Sequence, residues 1–524
     1  MGRLVIIAAL IATALGLPQS GRGETVLRFI PQADLRVLDP IWTSAYITRN
    51  HGYMVFDTLF GTDARFQPQP EMVDSWETSP DKLVYTFILR DKLKFHDGSP
   101  VRAADCVASL QRWMQRDTLG QYLAASSERV AALDDRRFEI RLKRPFPLLL
   151  SALGKVSGTV PFMMPERLAN TPADKQVTEM VGSGPFIFVK DEFQPGHKVV
   201  YRRNPDYTAR PEPPSGTAGS KAAKVDRVEW LYIPDQATAL NALSTGEVDW
   251  WQQVPTDIVP TLEKTPGIKI AELEPVRYIG QIVFNHVQPP FNNPKLRRAV
   301  LHGVDQAAYL AAVAGDPRFS SICYSFFGCG VPMSTEAGAE PLEGARDLAA
   351  AKKMVVMSGY KGEPAVVLDA TDFGVAHTMA LVTADLLQQL GIKVDLQAMD
   401  WGSVLGRRTK KDPVEKGGWS LFFGSLAGAD ALDPSIHLSL RGSGEKAWFG
   451  WPTDPKLEEL RERWIFAEED STRKQLAAQI QEQAYQTLPI ISVGQFAIPT
   501  AYRDTLSGIV PAPVIVMWNV EKRQ

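Results

Sequence analysis

Three consecutive runs in the second half of the chain, "GEPAVVLDA", "VAHTMALVTADLLQQLG" and "IKVDLQAM", constrain the fold most. The outer two are β-branched and apolar, as strands are; the middle one repeats its apolar residues at helical spacing and stops at Gly391. Strand, crossover helix and strand imply a parallel pair connected in the right-handed sense. A further helix is expected just upstream in "GARDLAAAKKMVVMSGY", ending near Gly359, and Asn293-Pro294 caps another, "PKLRRAVLHGV". An α/β lobe therefore begins after Val276.

The first half, from Glu24, reads as strands and turns. "VYTFIL" (84–89) is β-branched and aromatic, and "LKF" follows the charged turn "RDK", so the two are expected to form a hairpin. After the "HDGSP" turn the spacing becomes helical, with Ala104, Val107, Ala108 and Leu110 to Trp113 on the pattern. His96 and Asp97 thus stand between a strand and a helix. Thr208 to Lys224, "TARPEPPSGTAGSKAAK", has no hydrophobic period and reads as an inserted surface loop. No internal repeat is found.

The N-terminus places the protein. Arg3, an uncharged stretch from Leu4 to Leu17, Pro18 and the small-residue segment "SGRGE" form the pattern of a secretory signal peptide, with cleavage expected near Gly23-Glu24. The apolar run is too short to span a membrane. No cysteine precedes Cys106, which removes the acceptor for an N-terminal lipid, so a freely diffusing periplasmic protein is expected. A net charge of −3, from 57 basic and 60 acidic residues, argues against nucleic acid as a partner. The 524 residues exceed what one core serves, so two or three large units are expected. Cys323 and Cys329 enclose the five residues "YSFFG", and in an exported protein that spacing favours a disulfide over metal or redox use. Cys106, on a helical pattern, reads as a small buried side chain.

Catalytic patterns are missing. The seven histidines are scattered, with no His-x-His or His-Glu-x-x-His spacing for zinc. "GSGPF" and "RGSGEKAW" match neither the nucleophile elbow nor the phosphate-binding loop. No enzyme, metal or cofactor is expected.

Several segments occur together and in order: "LKFHDGSPVRAADCVASLQRW", "GSGPFIF", "YRRNPDY", "ALNALSTGEVDW", "PPFNNPKLRRAVLHGVDQAAYL", "DWGSVLGR" and "ADALDP". In this the mature chain resembles the substrate-binding proteins of ABC importers, family 5, the dipeptide, oligopeptide and nickel group. The resemblance implies an α/β fold of two lobes joined by crossing segments, the enlarged type II (cluster C) periplasmic-binding-protein fold, with an extra subdomain in lobe one. The expected layout is signal peptide 1–23, lobe one 24–276, lobe two 277–492 and a C-terminal return to lobe one, 493–524. His96-Asp97 is then a structural corner, with Asp97 and Gly98 making the turn.

By the same resemblance the ligand is a small peptide or peptide-like solute, and the partners are permease subunits in the inner membrane. A monomer meets them. Asp430, counted back from Asp433-Pro434, matches the aspartate that accepts the peptide amine, although Ala427 stands near where relatives often carry an aromatic. The competing account of Asp430 is a turn cap. Trp401 matches a cleft aromatic, against ordinary core packing; Thr43, Ser44 and Tyr46 match the segment lining the cleft from lobe one. Trp448 and Trp451 are a third choice, and Arg277 and Arg441 are candidates for a ligand carboxylate only by proximity to motifs. Opines, oligosaccharides and nickel chelates remain open as ligands, as does a sensor role, because the fold does not fix the ligand.

Overall fold

The computed structural model describes residues 23–344 and 346–523. The expected signal peptide, apart from Gly23, lies outside the described residues.

Two large sheets organise the chain. The first has seven strands in the order 186–188, 198–203, 227–231, 26–30, 250–251, 500–503 and 268–271. The second has six, in the order 320–321, 490–496, 278–284, 421–426, 365–370 and 394–399. The chain passes from the first sheet to the second between Ala271 and Tyr278, and returns between Phe496 and Thr500. Strands 365–370 and 394–399 pair in parallel, Ala365 opposite Val394 through Ala370 opposite Met399, with the helix Gly374–Gln389 between them, as the periodicity predicts. Every residue of Ala365–Ala370 is buried, in keeping with its apolar sequence; the one polar exception, Asp369, meets the His377 ring at 2.6 Å. The helices Pro294–Gly303 and Leu348–Met357 also form, capped by the side chains of Asn293 and Asp347.

A four-stranded antiparallel sheet, in the order 73–78, 84–89, 137–142 and 127–132, makes a separate layer beside the first sheet. Here the expected hairpin is wrong. "VYTFIL" has both edges occupied, by 73–78 and by 137–142, and Phe87 stacks on Phe138 with ring centroids 4.9 Å apart. Lys92, at a left-handed φ of 64°, turns the chain away. "LKF" folds back on its own continuation instead: Phe95 N–H donates to Ser99 O at 2.8 Å and Val101 N–H to Leu93 O at 3.0 Å. The tip of that small hairpin is His96-Asp97-Gly98. Gly98 takes φ 84°, and Asp97 Oδ1 accepts from the Ser99 N–H at 3.0 Å and hydroxyl at 2.6 Å. His96 donates its backbone N–H to Gly182 O at 2.8 Å and sets its ring 3.1 Å from Gly184 O, fastening the "GSGPF" segment. Burial pulls its pKa down to about 4, so the ring stays neutral.

The stretch 208–224 has no helix or strand and is exposed at Pro211 to Pro214, as expected of a surface loop, but its later part is buried. Thr217, Ala218 and Lys221 are buried, and Lys221 Nζ lies 2.7 Å from Asp57 and 3.4 Å from Glu71, both also buried. Two sealed carboxylates need a cation, and this segment delivers it. Cys323 and Cys329 are bonded, with Cα atoms 5.8 Å apart, and Cys106 is a buried free thiol.

Candidate functional site

In the second sheet, strands 365–370, 394–399 and 421–426 run parallel, so their carboxyl ends share one edge. Strand 278–284 is antiparallel to 421–426 and starts at that edge, Ile279 opposite Leu426. Ligands of α/β sheets collect at such an edge, where the loops diverge. Directly after Leu426 come Ala427 and a tight turn, Gly428–Asp430. Only glycine fits at 428, because a Cβ there would stand 2.5 Å from the carbonyl oxygen of Val276 on the crossing segment.

Lobe one meets this turn with the helix Tyr46–Val55. Ala427 N–H donates to Tyr46 Oη at 3.1 Å, across the two lobes. Burial, reinforced by the Asp430 carboxylate, pushes the Tyr46 hydroxyl well above its ordinary pKa. Asp430 is 7% exposed, and among the described residues no cation lies within ion-pair distance of it. The loop after Gly154 closes the other side: a Cβ on Gly158, which has φ 66°, would lie 3.8 Å from Asp430 Oδ1. One turn along the helix, the buried Arg49 places its guanidinium 4.6 Å from the Tyr46 ring centroid and donates to Ser157 Oγ at 2.6 Å. Glu274, on the crossing segment, accepts from Tyr278 Oη at 3.0 Å. Burial raises its pKa to about 7, against the opposing pull of Arg49 and with a smaller push from Asp430. Gln253 of lobe one donates to the same Tyr278 hydroxyl at 3.3 Å.

Of the residues anticipated from sequence, the structure brings Asp430 and Tyr46 together. Thr43 accepts from the Ala45 N–H at 3.2 Å and Ser44 is exposed; both precede the helix and neither bonds to the cluster. Trp401 opens the helix Trp401–Arg407 at the same sheet edge, two strands from the Asp430 turn, with its ring 4.9 Å from Phe373. Trp451 packs 5.9 Å from Trp419, and Trp448 5.6 Å from Phe422, as core aromatics do. Arg277 is engaged with Glu272 at 3.1 Å, and Arg441 sits 3.7 Å from Glu458. Sequence reasoning missed Arg49, Glu274 and Tyr278. The one available signal was the polar run Thr48-Arg49-Asn50-His51 inside an otherwise apolar helix, every member of which is buried.

A family model, bacterial extracellular solute-binding proteins, family 5, matches residues 67–448. The chain belongs to this family. A family 5 relative, the probable peptide ABC transporter periplasmic-binding protein y4tO of Sinorhizobium fredii, is 39% identical over 97% of each chain. Two solved structures share the fold: the ABC transporter-associated periplasmic binding protein DppA of Helicobacter pylori in complex with the peptide STSA, and MoaA of A. tumefaciens R10 in complex with mannopinic acid. The first has TM-score 0.79 and 22% identity over 96% of this chain and 99% of that one. The second has TM-score 0.79 and 20% identity over 96% of this chain and 100% of that one. Among the described residues no helix of this family 5 protein is long and apolar enough to cross a membrane.

Proposed function

We propose that this family 5 protein is the periplasmic receptor of an ABC importer, capturing a peptide or peptide-like amine between its lobes and delivering it to permease subunits of the inner membrane. The observation that carries this reading is Asp430: a buried carboxylate, facing lobe one, with no cation paired to it among the described residues. A ligand ammonium would complete it through a charge-assisted hydrogen bond. The crossing Tyr46–Ala427 bond joins the lobes around that point, so closure and capture are one event. The printed name of the 39% identical relative supports the same class of cargo. Binding is the output of this arrangement, and no bond is made or broken.

The test is calorimetry on the mature protein, refolded free of carried-over solute, against short peptides and their N-acetyl forms. Peptides with a free amine should bind and the acetylated forms should not. Asp430→Asn should weaken binding by about 2–5 kcal/mol while the protein stays folded. Equal affinity in the variant removes Asp430 from the site, and gel filtration showing a stable dimer would contradict the single-copy receptor.

A further inference from the structure

Five cations are buried among the described residues: Arg49, Arg112, Lys221, Arg297 and Arg461. Arg112 pairs with Asp39 at 2.6 Å, Lys221 with Asp57 at 2.7 Å and Arg461 with Glu458 at 3.1 Å. Arg297 instead donates to two backbone carbonyls, Phe291 O at 2.6 Å and Thr487 O at 2.9 Å. Arg49 alone of the five is met only by neutral side-chain oxygens. Its Nε and Nη2 share Asn50 Oδ1 at 3.3 and 3.1 Å, and its Nη1 reaches Ser157 Oγ at 2.6 Å. These bonds use three of the five N–H groups of a guanidinium. One N–H remains on each terminal nitrogen, available to the oxygens of a carboxylate.

The geometry points to Arg49 as the residue that recognises an acidic group of the solute. This rests on the peptide reading and deepens it: with Asp430 on the opposite lobe, the cleft selects a short solute carrying both an ammonium and a carboxylate. Tyr46 sets the spacing. Its ring lies beneath the guanidinium and its hydroxyl meets the Asp430 turn, so the two charges flank a single tyrosine side chain. The carboxyl terminus of a short peptide reaches from one to the other; that of a long, extended peptide lies beyond. Ser157 acts as a positioning residue, holding the fork toward the cleft. Glu274 and Asp430 feel or share the surroundings of Arg49 without forming an ion pair with it, so the competing account is an internal counter-charge that touches no solute.

The two accounts separate by calorimetry on the mature wild type, Arg49→Gln and Ser157→Ala, using di- and tripeptides as free acids, their C-terminal amides, and N-carboxyalkyl amino acids with their methyl esters. Wild type should prefer free acids over amides by about ten-fold or more. Arg49→Gln should bring acids and amides level while the dependence on a free amine persists, and Ser157→Ala should narrow the preference part of the way, which serves if the glutamine variant does not fold. A preference that survives in these variants, or a loss equal for acids and amides, overturns the assignment. If peptides are ignored but N-carboxyalkyl acids bind in preference to their esters, and Arg49→Gln erases that preference, the peptide reading fails and Arg49 stands. If no carboxylate-bearing probe binds, both fall.

Discussion

Lys221 and Arg49 are both buried cations, yet their surroundings differ in kind. Lys221 is enclosed by Asp57 and Glu71; Gly219 N–H donates to Glu71 at 2.6 Å and Tyr207 Oη to Asp57 at 3.0 Å, so the chain itself supplies the opposite charge, while Glu71 Oε2 keeps only the ion-pair contact with Lys221 at 3.4 Å. Arg49 has Asn50 and Ser157, and across the cleft Asp430 and Glu274 also lack an ion-pair partner among the described residues. Burial alone therefore does not distinguish a structural charge from a recognition charge. The distinction lies in whether the chain supplies the opposite sign at contact distance.

Three tests bear on that contrast, in decreasing order of expected effect, the first comparing a pair of substitutions. Lys221→Met should cost about 3–5 kcal/mol of stability in denaturant unfolding at neutral pH, because it strands two buried carboxylates; Arg49→Gln, with no paired carboxylate to strand, should cost about 2 kcal/mol through its lost hydrogen bonds. Similar losses for the two would erase the comparison. Glu274→Gln comes next. The folded pKa of Glu274, about 7, lies above the ordinary value of 4.5, so as pH rises from 4.5 toward 7 the unfolded state releases its proton first and wild-type stability falls. The glutamine variant lacks that fall: the two proteins should match near pH 4, and the variant should be more stable by about 3 kcal/mol at pH 8. A constant difference across pH would show that Glu274 does not titrate in this range. The smallest effect is expected for Gly158→Ala, about 1 kcal/mol from the left-handed backbone. Its new methyl would stand 3.2 Å from Lys155 Nζ, which pairs with Asp117, and 3.8 Å from Asp430 Oδ1, so stability and solute affinity should both fall slightly.

The parallel unit at 365–399 was legible because its signal is local: three periodic runs, each complete in itself. "VYTFIL" was legible as a strand but not in its pairing, since one true neighbour, 137–142, lies far along the chain and strand edges carry no address. In the loop 208–224 the exposed Pro-rich part was legible from composition, but the burial of its Lys221 end was not, because the ion triad there is assembled from Asp57 and Glu71 in distant sequence. At the candidate site, Asp430 followed from the family resemblance, counted back from Asp433-Pro434. Arg49 did not, because a run of polar residues on a helix looks the same in sequence whether it faces water or a closed cleft. Trp448 and Trp451, a third choice for the site because aromatic pairs near a turn more often pack, do lie against Phe422 and Trp419.

The strand Thr500–Arg503 sits between 250–251 and 268–271 and is the sheet neighbour of Ile268–Ala271. That strand is translated after every strand of lobe two. Strand 490–496, an interior member of the six-stranded sheet, ends only a few residues earlier, so both sheets keep a gap until the same short C-terminal stretch arrives. Removing everything from Ile490 onward would therefore open both lobes at once.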